Sequence, residues 1–407
     1  MTFEQASSAA PSPSAADVAA TGVPALHARE PDIPFNKPAI VGRELYYISQ
    51  VILQGHSAGD GGFTKRCQQE LEHALGVPKA LLTTSCTDAL EMAALLLDLA
   101  PGDEVIVPSF TFVSTANAFV LRGARPVFSD VRADTLNMDE TRLERLVTPR
   151  TRAIVPVHYG GVGCEMDAIC DIAARHGIPV VEDNAHGLFA SYRGKALGTF
   201  GTFAAQSFHE TKNVMCGEGG ALLVNDGRYV QRAEIVREKG TNRSRFFRGE
   251  VDRYTWVDVG SSHLPSDILA AFLFAQLEAR DSIQAKRQRI WTRYREGLGE
   301  WADRYGVALP FVPSHCEQSF HLFYLVLPTE DSRRRLIGHL RDRGIHAVFH
   351  YLPLHLSPMG LGFGGAPGQC PVTEQVSERL LRLPFFNDMT ESEQGRVIAA
   401  VCEFAPA

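Results

Sequence analysis

Between two apolar runs the chain places the polar turn SFHETKNVMCGEGG, residues 207 to 220, with Lys212 at its centre beside Ser207 and a cluster of glycines behind it. A lysine amine condenses with carbonyls and, once neutral, carries protons. A second polar group, VVEDNAH, puts Asp183 just past an apolar run and His186 three residues later. A carboxylate in that position is costly unless it meets a cation or a donor. In the third, TTSCTDALEMAA, an apolar run ends where a helical pattern begins, so Ser85, Cys86 and Thr87 present hydroxyls and free backbone N–H groups at a helix N-terminus. That setting suits a phosphate.

Taken singly, each cluster has an ordinary structural explanation: an N-cap, a salt-bridge partner, a hydrogen-bonded histidine, a solvated turn lysine. Together they supply the three fixtures that pyridoxal 5'-phosphate needs. The aldehyde condenses with a lysine, the phosphate docks on N–H groups, and a carboxylate keeps the ring nitrogen protonated. PSFTF offers an aromatic side chain to stack on the ring, with Phe112 the better candidate by position.

Such clusters must be held at strand ends, and the surrounding pattern provides strands. From residue 60 onward, helical spacings alternate with short apolar runs: GFTKRCQQELEHAL, KALLTT, TDALEMAALLLDL, DEVIVPSF, RPVFSDV, MDETRLERLV, TRAIVPVHY, EMDAICDIAARHG, IPVVEDN. This implies βα units and a mainly parallel sheet covered on both faces. In open α/β sheets, ligands bind beyond the carboxyl ends of the strands. The run SDILAAFLFAQLEARDSIQAKRQRIWTRYREGL reads as a helical stretch long enough to bridge a large domain to a small one. HLFYLVL, SRRRLIGHLRDRGI, HAVFHY and SEQGRVIAAVCEF then read as strand, helix, strand and helix of a compact α+β unit. The expected division is a disordered Ala, Ser and Pro-rich tail over 1–33, a large α/β domain over 34–280, and a bridging helix with a small domain over 281–407.

Composition narrows the partners. The chain of 407 residues is 45% hydrophobic with a net charge of −7, and its Lys and Arg are scattered, which leaves no footprint for nucleic acid or an anionic membrane. No run reaches the roughly 18 apolar residues of a membrane span. Its eight cysteines form no CxxC pair, and Cys164 and Cys170 read as lying on one helix, so no metal site or disulfide framework is expected and a reducing cytoplasm fits.

VVEDNAHG, SFHETKNVMCGEGG, PSFTFVSTANA and HYLPLH together resemble the DegT/DnrJ/EryC1/StrS family of sugar-nucleotide aminotransferases, of pyridoxal-phosphate fold type I, over nearly all of residues 34 to 405. GDGGFTKRCQQ, SCTDALEMAALLLD, HETKN and REKGTNRSRFFRG together look most like the members that act on dTDP-4-oxo-6-deoxyglucose to make dTDP-4-amino-4,6-dideoxygalactose. The resemblance implies that Lys212 binds the cofactor covalently, that Asp183 faces the ring nitrogen and His186 the ring hydroxyl, and that Ser85, Cys86, Thr87 and Ser207 contact the phosphate. His186 replaces the glutamine of many relatives, and Ser262 the asparagine that many send across a dimer interface to the phosphate. His350 and Tyr351 are candidates for the sugar side, with packing on their own strand as the other reading. The implied reaction is a ping-pong exchange between L-glutamate and a nucleotide-linked 4-oxo sugar, a 6-deoxyhexose or a pentose, in a homodimer with composite sites. A sugar dehydratase of the same family would carry histidine in place of Lys212. A non-catalytic regulator would carry a DNA-binding domain ahead of the fold.

Overall fold

A computed structural model describes residues 33 to 406. At its centre are β1 (Lys79–Thr83), β2 (Glu104–Pro108), β3 (Arg125–Ser129), β4 (Thr151–Ile154), β5 (Val181–Asp183), β6 (Phe203–Ser207) and β7 (Gly220–Val224). One group runs β1-β7-β6-β5 and another β3-β2-β4. Parallel bridges Ile154 to Val180 and Val157 to Asp183 join them into a single seven-stranded sheet. Only β7 runs antiparallel to its neighbours. All seven strands coincide with apolar runs legible in the sequence.

Alternation along these strands loads both faces. Leu81, Val105, Val107, Phe203, Ala205 and Leu222 pack against the Cys86–Leu96 helix on one side. Ala80, Leu82, Ala204 and Leu223 join residues of the Gly62–Leu75 and Asp267–Glu278 helices on the other. Because β1, β2, β4, β5 and β6 point the same way, their carboxyl ends open on one side of the sheet. Gly220, at the start of β7, lies at that end opposite both Thr83 and Ser207.

The long helical run is two helices rather than one. Asp267–Glu278 and Arg280–Tyr305 break at Ala279, whose backbone leaves helical geometry (φ −92°, ψ 6°). The first is apolar nearly all round and buried against the sheet layer. The second is polar except for a stripe that, beyond Ile283 in the sheet layer, includes Ile290, Tyr294, Leu298 and Trp301, so it must diverge to find another core. That core is completed by β8 (Tyr324–Val326), β9 (Val348–Phe349) and β10 (Leu380–Arg382), ordered β8-β10-β9, and by helices Glu330–Arg341 and Glu391–Cys402. The Pro371–Arg379 helix and β10 were not anticipated from the sequence.

Two further expectations change. Cys164 precedes the Met166–His176 helix that carries Cys170, its N–H bonded to His158 Nδ1. The expected N-terminal tail lies outside the described residues except for its last member, Ile33, which is buried in the C-terminal core and bridges Ile345.

On β5, neighbouring acids face opposite ways. Glu182 is fully buried and accepts from Gly198 N (2.8 Å), Phe200 N (2.7 Å), Gly201 N (2.7 Å) and His158 Nε2 (3.0 Å). It thereby ties the connection into β6. Glu182→Ala leaves these donors unpaired in the interior, and we expect a loss of about 3–5 kcal/mol in chemical denaturation; a loss below about 1 kcal/mol would contradict this role.

Candidate active site

Beyond the carboxyl ends of the strands lies a cavity of about 760 Å³. Ser85, Cys86, Thr87, Phe112, Asp183, His186, Ser207, Lys212, His350 and Tyr351 all line it, so ten residues singled out from separate stretches of sequence meet in one place. Ser262 does not. It is exposed and bridges Glu238.

One wall is the first turn of the Cys86–Leu96 helix. The Ser85 hydroxyl is taken up as N-cap, accepting from Asp88 N and donating to Asp88 Oδ2, both at 3.0 Å. Thr87 Oγ1 donates to Ser114 Oγ at 2.8 Å. What remains open are the backbone N–H groups of Cys86 and Thr87, which have no partner among the described residues. Such groups make a ready anion site. A Cβ at Gly220 would run into the backbone of Ser85 and Cys86, so the start of β7 approaches this turn as only glycine allows.

Asp183 is buried and held from two sides. Thr115 Oγ1 donates to its Oδ2 at 2.6 Å, and Ala185 N to its Oδ1 at 3.2 Å. Across the cavity, Lys212 N bonds His209 O, while its ammonium makes no hydrogen bond among the described residues. Burial lowers the Lys212 pKa to about 8, against the pull of Cys86 and Asp183, which favour the charged form, and with a smaller push from Arg382. The next residue, Asn213, fixes the turn. Its amide donates to Ser319 O (2.7 Å), its Oδ1 pairs with His321 Nδ1 (2.9 Å), and its carbonyl accepts from Asn387.

His186 stacks on His321 with ring centroids 4.1 Å apart, and its Nδ1 accepts from Gly160 N at 3.3 Å. That acceptor role leaves Nε2 carrying the proton. Burial pushes the pKa of His186, His321 and His350 well below the usual histidine range. His350 also pairs with Tyr159 Oη at 2.9 Å and lies against Tyr351. Phe112 remains 57% exposed at the cavity rim.

Among the other lining residues, sequence reasoning missed Phe35, Asn36, His321 and Arg382. They come from outside the strand-end clusters, and no local spacing marks them.

The arrangement combines an anion cradle, a buried carboxylate and an amine of lowered pKa, and these fit a phosphorylated pyridine aldehyde. A family model described as the DegT/DnrJ/EryC1/StrS aminotransferase family matches residues 38–402. The chain belongs to that family. It is 32% identical over 377 residues to the spore coat polysaccharide biosynthesis protein SpsC of Bacillus subtilis, covering 91% of this chain and 96% of SpsC. Among solved structures it resembles Streptomyces venezuelae DesV, "S. venezuelae DesV in complex with ketimine intermediate", with 32% identity and a TM-score of 0.83 over 92% of this chain and 98% of DesV. It also resembles the PLP form of Spr1654 from Streptococcus pneumoniae, with 26% identity and a TM-score of 0.83 over 91% of this chain and 98% of that one. The chain is therefore a pyridoxal-phosphate-dependent aminotransferase of fold type I.

The lowered pKa of Lys212 makes a measurable difference in cofactor-free protein. Below pH about 8 the amine is mostly charged and unreactive, and above it mostly neutral. Competitive acetylation followed by peptide mapping should give Lys212 a midpoint near 8 rather than the ordinary lysine value of about 10.4. Asp183→Asn, which removes a charge favouring the ammonium, should lower that midpoint further. A midpoint near the ordinary value would refute the effect of burial.

Proposed function

We propose that this aminotransferase moves the amino group of L-glutamate to the C4 carbonyl of a nucleotide-linked 4-oxo sugar, with dTDP-4-oxo-6-deoxy-D-glucose as the substrate to test first. A 4-oxo pentose nucleotide is the next candidate. The meeting of Lys212, Asp183 and the open Cys86 and Thr87 N–H groups in one cavity carries the catalytic part of this reading. The sugar part is supported by 32% identity to a polysaccharide biosynthesis protein and by the resemblance of several sequence segments to 4-oxo-sugar aminotransferases.

Bound pyridoxal phosphate supplies an electron sink and a carrier for the amino group. Lys212 would hold it covalently, and afterwards its freed amine would move a proton at the substrate carbon. In the cofactor-free protein a pKa of about 8 leaves part of the Lys212 population neutral near pH 7.5, the form that condenses with an aldehyde. The Asp183 carboxylate, anchored by Thr115 and Ala185, would hold a positive charge on the ring nitrogen. Cys86, Thr87 and Ser207 would bind the phosphate, with the Cys86 and Thr87 contribution coming from the backbone. His186, with Nε2–H as donor, would meet the ring hydroxyl, and Phe112 would cover one face of the ring.

The reading includes a cytoplasmic homodimer. Tyr254, Trp256, Val257 and Val259, in the segment 243–265 that also holds Ser262, are exposed, as are Leu45 and Leu53 on the Glu44–Gln54 helix. Exposed aromatic and aliphatic side chains of this kind are what a subunit interface covers. No helix of the described residues is long and apolar enough to cross a membrane.

Borohydride reduction of holoenzyme should place the pyridoxyl mass on the Lys212 peptide, and mass spectrometry of products from a panel of oxo-sugar nucleotides with glutamate should show amination at C4. Asp183→Asn should keep cofactor yet slow both half-reactions at least tenfold. A label on Lys195 or Lys239 would overturn the assignment. Sedimentation at assay concentrations should find a dimer, and a fully active monomer would defeat the composite-site reading.

A further inference from the structure

The turn that presents the open N–H groups of Cys86 and Thr87 is gripped by a residue outside the cavity lining. His263 is buried, and it bonds the residues on either side of Ser85, Cys86 and Thr87. Its carbonyl accepts from Thr84 N at 3.0 Å, and its ring Nδ1 lies 3.0 Å from Asp88 Oδ1. Asp88 is the third residue of the Cys86–Leu96 helix, and its other oxygen accepts from the hydroxyls of Thr84 and Ser85. Burial alone would raise the Asp88 pKa, but the bonds from His263, Thr84 and Ser85 outweigh it and hold the carboxyl below its ordinary value. An ionised carboxylate only accepts, so the proton of this contact is on Nδ1. His263 Nε2 is buried without a partner, which makes the bond to Asp88 the ring's one hydrogen bond among the described residues. Behind it, His263 N donates to Arg237 O at 3.2 Å, and the Arg237 guanidinium reaches Leu82 O at 3.2 Å, near the end of β1.

From this geometry we infer that His263 is a positioning residue for the cofactor phosphate, acting through Asp88 on the backbone N–H groups of Cys86 and Thr87. The inference rests on the phosphate placement proposed above and adds the group that holds the cradle in shape. Two N–H groups grip an anion only while both aim at it, and their aim is set by the backbone from Thr84 to Asp88. Gly220 bounds that backbone on one side, where not even a Cβ would fit, and His263 pins it at both ends. The second contribution is electrostatic. A carboxylate in the first helical turn suits the helix dipole, but it opposes a phosphate arriving at the same turn. The Nδ1–H of His263 is the one nitrogen donor on the Asp88 side chain among the described residues, and it takes up charge that would otherwise face the phosphate.

The test titrates full-length cofactor-free protein with pyridoxal 5'-phosphate and, separately, with pyridoxal, which has the aldehyde and ring but no phosphate. His263→Phe fills the volume of the ring, keeps the backbone bond to Thr84 and deletes the Nδ1 donor. It should weaken pyridoxal phosphate about tenfold, as expected for loosening one hydrogen bond to a charged group, and leave pyridoxal within about twofold of wild type. His263→Asn places a side-chain N–H near the Nδ1 position and should restore most of the loss. In an Asp88→Asn background, where there is no charge to take up, His263→Phe should cost clearly less than in wild type. If the phenylalanine variant does not fold, His263→Gln, whose amide falls near the Nε2 position, decides by the same pair of titrations. Unchanged affinity for pyridoxal phosphate overturns the inference. An equal loss for both ligands overturns it too, since that is what a merely structural role would give. Wild type binding the two ligands equally well would instead defeat the phosphate placement itself, and this inference with it.

Discussion

The position of Lys212 depends on the hydrogen bonds of the residue after it. Asn213 is buried, and its side chain reaches Ser319 O, His321 Nδ1 and Gln284 Oε1. Its carbonyl accepts from Asn387, which in turn accepts from Arg287 on the Arg280–Tyr305 helix. A turn between two sheet strands is thus bonded to groups of the C-terminal layer. Such a network is worth having only when its members are satisfied, because unpaired polar groups in a low-dielectric interior are costly. Here the members fix one another, and the His186 to His321 stack extends the same constraint to the opposite wall.

Strand alternation performs a comparable task on β5. Two consecutive acids serve two purposes because successive side chains leave a strand on opposite faces. Glu182 is absorbed by backbone donors and His158, while Asp183 keeps its carboxylate at the cavity with bonds from Thr115 and Ala185. Thr115 is itself held by Thr111, so the loop that carries Phe112 and the carboxylate are parts of one arrangement. Ser109, at the start of that loop, bonds His355 Nδ1 at 2.6 Å, and His355 Nε2 meets Glu374 at 2.9 Å. This chain secures the HYLPLH segment, and with it His350 and Tyr351, against the sheet end.

Apart from the carboxylates of Asp183 and Glu218, most polar groups lining the cavity carry little charge of their own. Its histidines are desolvated and favour the neutral form, its lysine amine is partly neutral near physiological pH, and its helix N-terminus presents dipoles rather than ions. Arg382 is the cation left over. Desolvation is the shared cause, since the same burial that depresses the lysine and histidine pKa values strengthens every charge that does enter.

The sequence by itself determined the seven sheet strands, most helices flanking them, and the three strand-end clusters. Each is a local pattern: apolar runs of strand length, helical periodicity, and polar residues where a run stops. It also pointed to the cofactor chemistry, since a lysine, a carboxylate and a helix N-terminus, each at the end of an apolar run, suit pyridoxal phosphate together. Tertiary structure decided the rest. The Ser85 hydroxyl is spent on its own helix, so the donors left open on that turn are the backbone N–H groups of Cys86 and Thr87, and spacing does not tell which of hydroxyl and N–H stays open. The helical run divides at Ala279 because its two halves need different cores, which becomes apparent only when both cores exist. Phe35, His321 and Arg382 enter the cavity from segments far apart in the chain, and Ile33 joins a core formed by residues some 260 to 370 positions later. Sequence spacing reports neighbours along a helix or strand; it carries no record of which distant segments fold across the same strand end.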